Sequence, residues 1–252
     1  MDCMKGMKGF PDKFFDLAIV DPPYGDGNSS GGGTIASGDC SASTSMEPLR
    51  TAIRPLQTDR SPISRGGVAR EGPLPPGPER TGGTWAEKYG KKIIAWDVAP
   101  GKEYFDELFR VSRNQIIWGG NYFQLPPTRC FLIWRKPITE TFSMAMAEYA
   151  WTSFNANAKV WEGAAMGNAK NPRFHPTQKP VRLYQWILGL FAQPGMKILD
   201  THVGSASSLV ACQRAGYTDY WGFEIDEHYY QLANERLERE RAQVSLFDMM
   251  DD

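Results

Sequence analysis

Residues 17–20, Leu-Ala-Ile-Val, form an unbroken apolar and partly β-branched run that stops at Asp21-Pro22-Pro23. Two consecutive prolines donate no backbone N–H and cannot continue a strand ladder. The run therefore reads as a buried strand that delivers Asp21 at its carboxyl end. A second such strand, MKILD at 196–200, leads into the small-residue turn THVGSAS, a helix SLVACQRAG closed by Gly216, and a further strand DYWGFE. That order is one βαβ unit, with glycine where a helix C-terminus needs a left-handed residue. Buried strands alternating with helices predict an α/β fold with parallel pairing.

Between Gly25 and about Gly83 the character changes to Gly, Ser, Pro and Arg, as in GDGNSSGGGT and REGPLPPGPER, with no apolar periodicity. This is a long low-complexity insertion in a chain otherwise read as one domain over 1–252. Regularity returns with EYFDELFRVSR, where Tyr104, Leu108 and Val111 recur at helical spacing, and then with the short strands NQIIWGG and FLIWRKP. A final helix, DEHYYQLANERLERER, is expected to turn Tyr230, Leu232 or Ala233, and Leu237 inward. The 28 Lys plus Arg against 29 Asp plus Glu give a net charge of −1, so contact with a polyanion must be a local patch. Cysteines 3, 40, 130 and 212 show no CxxC pairing, which argues against a structural zinc and against a disulfide framework. A cytoplasmic protein without membrane spans is expected.

In open α/β sheets ligands sit at the carboxyl ends of strands, where a glycine turn exposes backbone amides. Asp200 and Gly204 occupy such a turn, and Glu224 ends the next strand 24 residues after Asp200, a separation at which a carboxylate can take two ribose hydroxyls. The dinucleotide pattern GxGxxG is absent, which disfavours a nicotinamide enzyme. Taken alone, the loop is also consistent with a merely structural strand-turn-helix. Asp21-Pro22-Pro23-Tyr24 suits a different task. An exocyclic amino group is a poor nucleophile because its lone pair is delocalised into the ring, so an enzyme must accept hydrogen bonds from it. Asp21 supplies a carboxylate, Pro22 a carbonyl, and Tyr24 an aromatic face on which a flipped base can stack. The plain alternative for Asp-Pro-Pro is a turn at a strand end.

These segments, with IIWGGNYF at 116–123, FLIWRKP at 131–137, EYAWTSF at 148–154, HPTQKP at 175–180, ILDTHVGSAS at 198–207 and GFEIDEHYYQLANERL at 222–237, resemble the β-class of bacterial and phage DNA amino-methyltransferases. The resemblance implies a Rossmann-like S-adenosylmethionine-dependent methyltransferase fold with circularly permuted motif order, of the kind found in restriction-modification systems. It implies a target-amine site at Asp21, Pro22, Pro23 and Tyr24, with S-adenosyl-L-methionine held by Asp200, Gly204, Ser205 and Glu224 and bordered by Asp21. Thr177 and Lys179 are implied to approach the cofactor from the opposite side, and Asp2 with Cys3 to meet its adenine. His175 is open between ligand contact and packing, and Trp118, Trp134 and Trp151 are expected in the core. The chain has Thr201-His202 where the family usually has Pro-Phe, which removes an aromatic beside the cofactor.

The implied reaction is one in-line methyl transfer to double-stranded DNA, at N6 of adenine, with N4 of cytosine as the alternative. No Pro-Cys pair is present, which argues against C5-cytosine chemistry. A catalytically idle DNA-binding relic is a rival from another class. The insertion carries Arg50, Arg54, Arg60, Arg65, Arg70 and Arg80, so duplex DNA is expected to protect residues 25–83 in limited proteolysis. At the other end, Gln243-Val244-Ser245-Leu246-Phe247 resembles a peptide that docks on the replicative sliding clamp, and its alternation equally suits an edge strand completing the sheet before Asp2. The strand reading expects Leu246→Ala plus Phe247→Ala to lower the melting temperature without any clamp capture in a pull-down. The docking reading expects capture by the intact chain and an unchanged melt.

Overall fold

The computed structural model describes residues 1–24, 98–139, 145–165 and 173–248, with side chains in the last helix described to Gln243. The insertion read at 25–83 lies outside the described residues, as do the side chains of Leu246 and Phe247. The described part runs α1 (Cys3–Lys8), β1 (Phe15–Val20), α2 (Lys102–Val111), β2 (Ser112–Trp118), a 3₁₀ turn at Gly120–Tyr122, β3 (Phe131–Arg135), β4 (Ala147–Thr152) and β5 (Lys159–Glu162). It continues with α3 (Val181–Phe191), β6 (Ile198–Asp200), α4 (Ser207–Arg214), β7 (Tyr220–Gly222) and α5 (Glu227–Asp248).

The strands make one sheet in the order β5-β3-β4-β2-β1-β6-β7. β1 pairs in parallel with β2 and β6, and β6 with β7, so the chain outruns four neighbouring strands on the same rim. β4 runs antiparallel to both β2 and β3. Its first residues therefore lie on the rim where the parallel strands end, and this places Glu148 there. The fold is the expected α/β Rossmann-like one.

Leu17, Ala18, Ile19 and Val20 are all buried because β1 has a neighbour on each side and helices on both faces. Leu17 and Ile19 pack with α3, α4 and α5 residues such as Leu183, Leu209 and Leu237. Ala18 and Val20 pack on the other face with Met7 of α1 and Phe105 and Leu108 of α2. Trp118, Trp134 and Trp151 are buried, as expected of core tryptophans.

Two expectations change at the C-terminus. Ala233 and Leu237 face inward, but Tyr230 is 48% exposed and Leu232 half-buried, while Arg236 is buried. The inward face of α5 is thus turned by about one residue from the apolar reading, because Arg236 finds acceptors inside. Residues 243–248 are the end of α5 and not an edge strand, so the strand reading of the tail is overturned and β7 is left as an edge among the described residues. Extending a helix fixes one residue per hydrogen bond gained, whereas a lone strand needs a partner along its whole length.

Leu17→Ala should lower the unfolding free energy by about 2–5 kcal/mol in urea titration with an unchanged m value, since Leu17 is fully buried in the central strand.

Candidate active site

β1 ends at Val20, and Pro22 and Pro23 free the chain from the ladder, so Asp21 stands at the rim with its side chain 13% exposed. Tyr24 returns over it and donates its hydroxyl to Asp21 Oδ1 at 3.1 Å. Tyr24 lies against Gly119, which has φ +66°; a Cβ there would come within 2.0 Å of the Tyr24 ring, so glycine is required both by backbone angle and by space. The next turn brings Tyr122 parallel to Tyr24, with ring centroids 4.6 Å apart and an angle of 20°. Tyr122 is 60% exposed and presents the outer face of this aromatic pair to solvent.

Lys179 donates its ammonium to Asp21 Oδ2 and also lies 3.3 Å from Glu148 Oε2. Glu148 Oε1 in turn meets Lys136 Nζ at 2.6 Å. Burial drives the Asp21 carboxyl upward, and Lys179 opposes that while Glu148 adds to it, leaving Asp21 above its ordinary range. Burial would push Glu148 up as well, but Lys179 and Lys136 together hold it below its ordinary range. Burial would lower Lys179, and the two carboxylates outweigh it, so the ammonium stays charged. Tyr24 is pushed well above its ordinary range by burial and by the Asp21 charge, so it remains a hydrogen-bond donor.

The second half of the site lies on the same rim after β6 and β7. Asp200 is buried, and its carboxylate accepts from His202 N at 3.0 Å and from the Ser208 hydroxyl, which locks the turn into α4. Gly204 has φ +49°, and a Cβ on it would lie 3.0–3.2 Å from the His175 ring. His175 therefore packs on the glycine turn; Thr177 N donates to its Nδ1 at 3.3 Å, and its ring meets Tyr229 edge-on at 4.3 Å. Glu224 accepts from Gly204 N at 2.8 Å and from Asp226 N at 2.9 Å. Those two amides orient the carboxylate and leave further lone pairs on each oxygen.

The sequence-predicted residues fall into three groups. Asp21, Pro22, Pro23, Tyr24 and Lys179 converge, with the Lys179 ammonium on Asp21 and Glu148 where the resemblance implied the cofactor. Asp200, Gly204 and Glu224 converge at the glycine turn, and Cys3 lies within electrostatic reach of Glu224. Ser205, by contrast, is buried with its hydroxyl 3.0 Å from Ser207, Thr177 is exposed, and Asp2 caps α1 by accepting from Lys5 N at 3.0 Å. Burial pushes the Cys3 thiol up to about 11, so it is no nucleophile.

Three side chains that hold the rim together escaped the sequence reading. Lys136 and Glu148 sat inside quoted motifs but could be paired only once β4 was known to run antiparallel. Arg236, in a charged run, donates to Ser205 O at 2.7 Å and to Ser207 Oγ at 3.1 Å, and no signal in the sequence marks it. Thr201-His202 also looks different in three dimensions. Thr201 Oγ1 lies 2.6 Å from Tyr104 Oη, and the His202 ring meets Tyr104 edge-on at 5.4 Å, so an aromatic ring stands at this position after all.

Among the described residues no cluster of His, Cys, Asp and Glu is arranged to hold a metal, and no helix is long and apolar enough to cross a membrane. Residues 133–235 match the N6_N4_Mtase family, described as DNA methylase. The type II methyltransferase M.HpaI of Haemophilus parainfluenzae is 32% identical over 96 residues, 38% of this chain and 29% of that protein. The type II methyltransferase M2.DpnII of Streptococcus pneumoniae is 34% identical over 82 residues, 32% of this chain and 30% of that protein. The chain thus spans less than a third of the length of these curated relatives. The structure of the PvuII DNA methyltransferase, described as cytosine-N4-specific, superposes with a TM-score of 0.50 at 9% identity, covering 93% of this chain and 83% of that one, which shows the shared fold. The family and sequence matches support a DNA amino-methyltransferase of the N6/N4 type.

Burial sets the acid response of the site. It pushes His175 down to about 3, with Arg173 adding to the effect, and His202 down to about 4, from an ordinary 6.5. Both are neutral when folded and take up a proton on unfolding, so their contribution is present above pH 6.5 and is lost as pH falls toward 4. Asp200, pushed by burial from 3.8 to about 6, works in the opposite sense: its contribution is present below 3.8 and is lost as pH rises through 6. A histidine held neutral in the fold and protonated on unfolding contributes a loss of about 1.4 kcal/mol per pH unit near pH 5, and a carboxyl raised by burial, as at Asp200, offsets it. In urea unfolding across pH, His202→Phe should lower the slope of stability against pH near pH 5 by about 1.4 kcal/mol per unit relative to the parent.

Proposed function

We propose that the chain transfers a methyl group from S-adenosyl-L-methionine to an exocyclic amine of a base in double-stranded DNA, at N6 of adenine. The observation that carries this reading is the convergence on one sheet rim of a lysine-paired carboxylate, Asp21, with a glycine turn whose amide is bound by Glu224. The residues present fit the cofactor: the Glu224 carboxylate, oriented by the Gly204 and Asp226 amides, retains acceptor capacity for two ribose hydroxyls. Gly204 and Glu224 would hold it, with Asp200 shaping the turn and Cys3 beside Glu224. When bound, it supplies an electrophilic methyl group on a sulfonium.

Asp21 accepts a hydrogen bond from the target NH2, and the Pro22 carbonyl accepts a second, which localises the nitrogen lone pair for attack. Tyr24 offers its ring to the base as a stacking wall, and its hydroxyl, now on Asp21, yields that acceptor to the amine. The proton released by the methylated nitrogen passes toward Asp21 and solvent. Alignment and charge placement supply the catalysis, without a covalent intermediate. Asp in the first position of the Asp-Pro-Pro-Tyr motif favours adenine; N4 of cytosine is the second reading, and the base specificity of the PvuII enzyme belongs to that protein. Action on DNA places the protein in the cytoplasm at the nucleoid, with sliding-clamp docking through Gln243, Leu246 and Phe247 as a further partner.

The full chain should move radiolabel from the cofactor to unmethylated DNA. Asp21→Ala should reduce transfer by roughly 10²–10⁴-fold while retaining cofactor binding in calorimetry. Nucleoside mass spectrometry of the product decides the base: N4-methylcytosine without N6-methyladenine overturns the adenine assignment. Cofactor binding with no transfer to any DNA favours the idle DNA-binding relic.

A further inference from the structure

Lys179 has two carboxylates to serve, Asp21 and Glu148, in a rim where its own side chain is only 4% exposed. One ammonium between two desolvated carboxylates leaves an uncompensated negative charge, and the usual response of a buried acid is to take up a proton. Lys136 removes that excess. It is 5% exposed, binds the Glu148 oxygen that Lys179 does not use, and completes an alternating chain of two cations and two anions. Both ammonium groups are fixed over tryptophan rings, Lys136 at 4.8 Å from the centroid of Trp134 and Lys179 at 5.2 Å from that of Trp118. The backbone holds the same arrangement, since Lys136 N donates to Met146 O at 2.8 Å across the β3–β4 pair.

We propose that Lys136 is a positioning residue for methyl transfer: it satisfies Glu148 so that the Lys179 ammonium stays on Asp21 and keeps that carboxylate ionised toward the target amine. The proposal rests on the amino-methyltransferase reading for its consequence and on the contacts alone for its charge logic. Lys136 reaches Asp21 through Glu148 and Lys179. Among the described residues, the other ionisable groups acting around Asp21 are Tyr24 of its own segment, Tyr104 of α2, Tyr184 of α3 and Asp200 of β6. Burial holds all three tyrosines well above their ordinary range, so they stay neutral, and Asp200 repels a charge on Asp21. Lys179 is thus the cation on which the Asp21 charge depends.

The test is a carbon-13 NMR titration of the Asp21 carboxyl in the full chain, assigned with Asp21→Asn. It is combined with cofactor affinity and single-turnover methyl transfer to DNA across pH. Lys136→Met should raise the Asp21 midpoint by at least about one pH unit and carry the acidic limb of the rate profile up with it, so that transfer below the limb slows about tenfold per unit. Cofactor affinity should be unchanged, and Lys136→Arg should behave as the parent. Adding Glu148→Gln to Lys136→Met should bring the midpoint back toward the parent value, because the remaining carboxylate regains Lys179. A packing role would instead make the double substitution worse than either single one. An unmoved midpoint in Lys136→Met, or additive damage in the pair, overturns the proposal. If Lys136→Met fails to fold, Glu148→Gln alone decides: it should lower the Asp21 midpoint by removing a like charge, and no change overturns the proposal. A parent chain whose Asp21 responds as stated but which methylates no DNA refutes the enzymatic reading and leaves the charge chain standing.

Discussion

The pairing of Lys179 with Asp21 is the contact on which the rest of the site is arranged. A carboxylate at the end of a buried strand loses most of its hydration, and desolvation alone would leave it protonated and useless as an acceptor from an amine. A cation must be brought to it, and that cation must itself be desolvated and held. The segment before α3 supplies Lys179, while Glu148 comes from β4 and Lys136 directly follows β3, both on the far side of β2. Buried ion pairs of this kind contribute little net stability, because desolvation offsets most of the Coulomb gain. Their presence in a rim otherwise lined by tryptophan and tyrosine is better explained by the proposed chemistry at Asp21 than by the stability of the fold.

The direction of the strands makes this convergence possible. Four parallel strands send Asp21, Asp200 and Glu224 to the same rim, as expected for ligand sites in open α/β sheets. β4 contributes differently, since an antiparallel strand brings its start to that rim, and Glu148 is near its start. Tyr104 of α2 ties the halves together: its hydroxyl meets Thr201 at 2.6 Å, and its ring lies in the field of both Asp21 and Asp200. Two halves of a rim that share one packed helix are held at a fixed separation, which the proposed in-line transfer requires.

What the sequence disclosed follows the range of its signals. Local signals were sufficient for the strand before Asp21-Pro22-Pro23 and for the βαβ unit around Gly204, because proline, glycine and short apolar runs act on their immediate neighbours. Glu148 and Lys136 were hidden because their pairing is a matter of register between strands, and charges next to an apolar run look the same whether they face solvent or each other. Tyr230 was misplaced for a related reason: Arg236 is buried by two acceptors from the α4 turn, so the inward face of α5 includes a cation that no apolar pattern anticipates. In the tail, the alternation of Val244 and Leu246 was outweighed by continuation of the preceding Glu- and Arg-rich helix.

Thr201-His202 shows how a departure from a family pattern can preserve a physical role while changing its chemistry. A proline and phenylalanine would give a fixed backbone angle and an inert ring. Here Asp200 Oδ1 fixes the backbone through the His202 amide, which takes over part of the constraint a proline imposes. The ring is kept in the imidazole, which packs on Tyr104 and hydrogen-bonds to Thr201 at 2.9 Å. An imidazole differs from a phenyl ring in that it can be protonated, and burial suppresses this only down to about pH 4. Protonation would set a cation in the turn between Asp200 and Gly204, against Tyr104. A sulfonium is itself a cation, so a neutral ring at this position suits the cofactor proposed for this turn. The burial that keeps His202 neutral therefore serves the proposed cofactor as directly as the packing does.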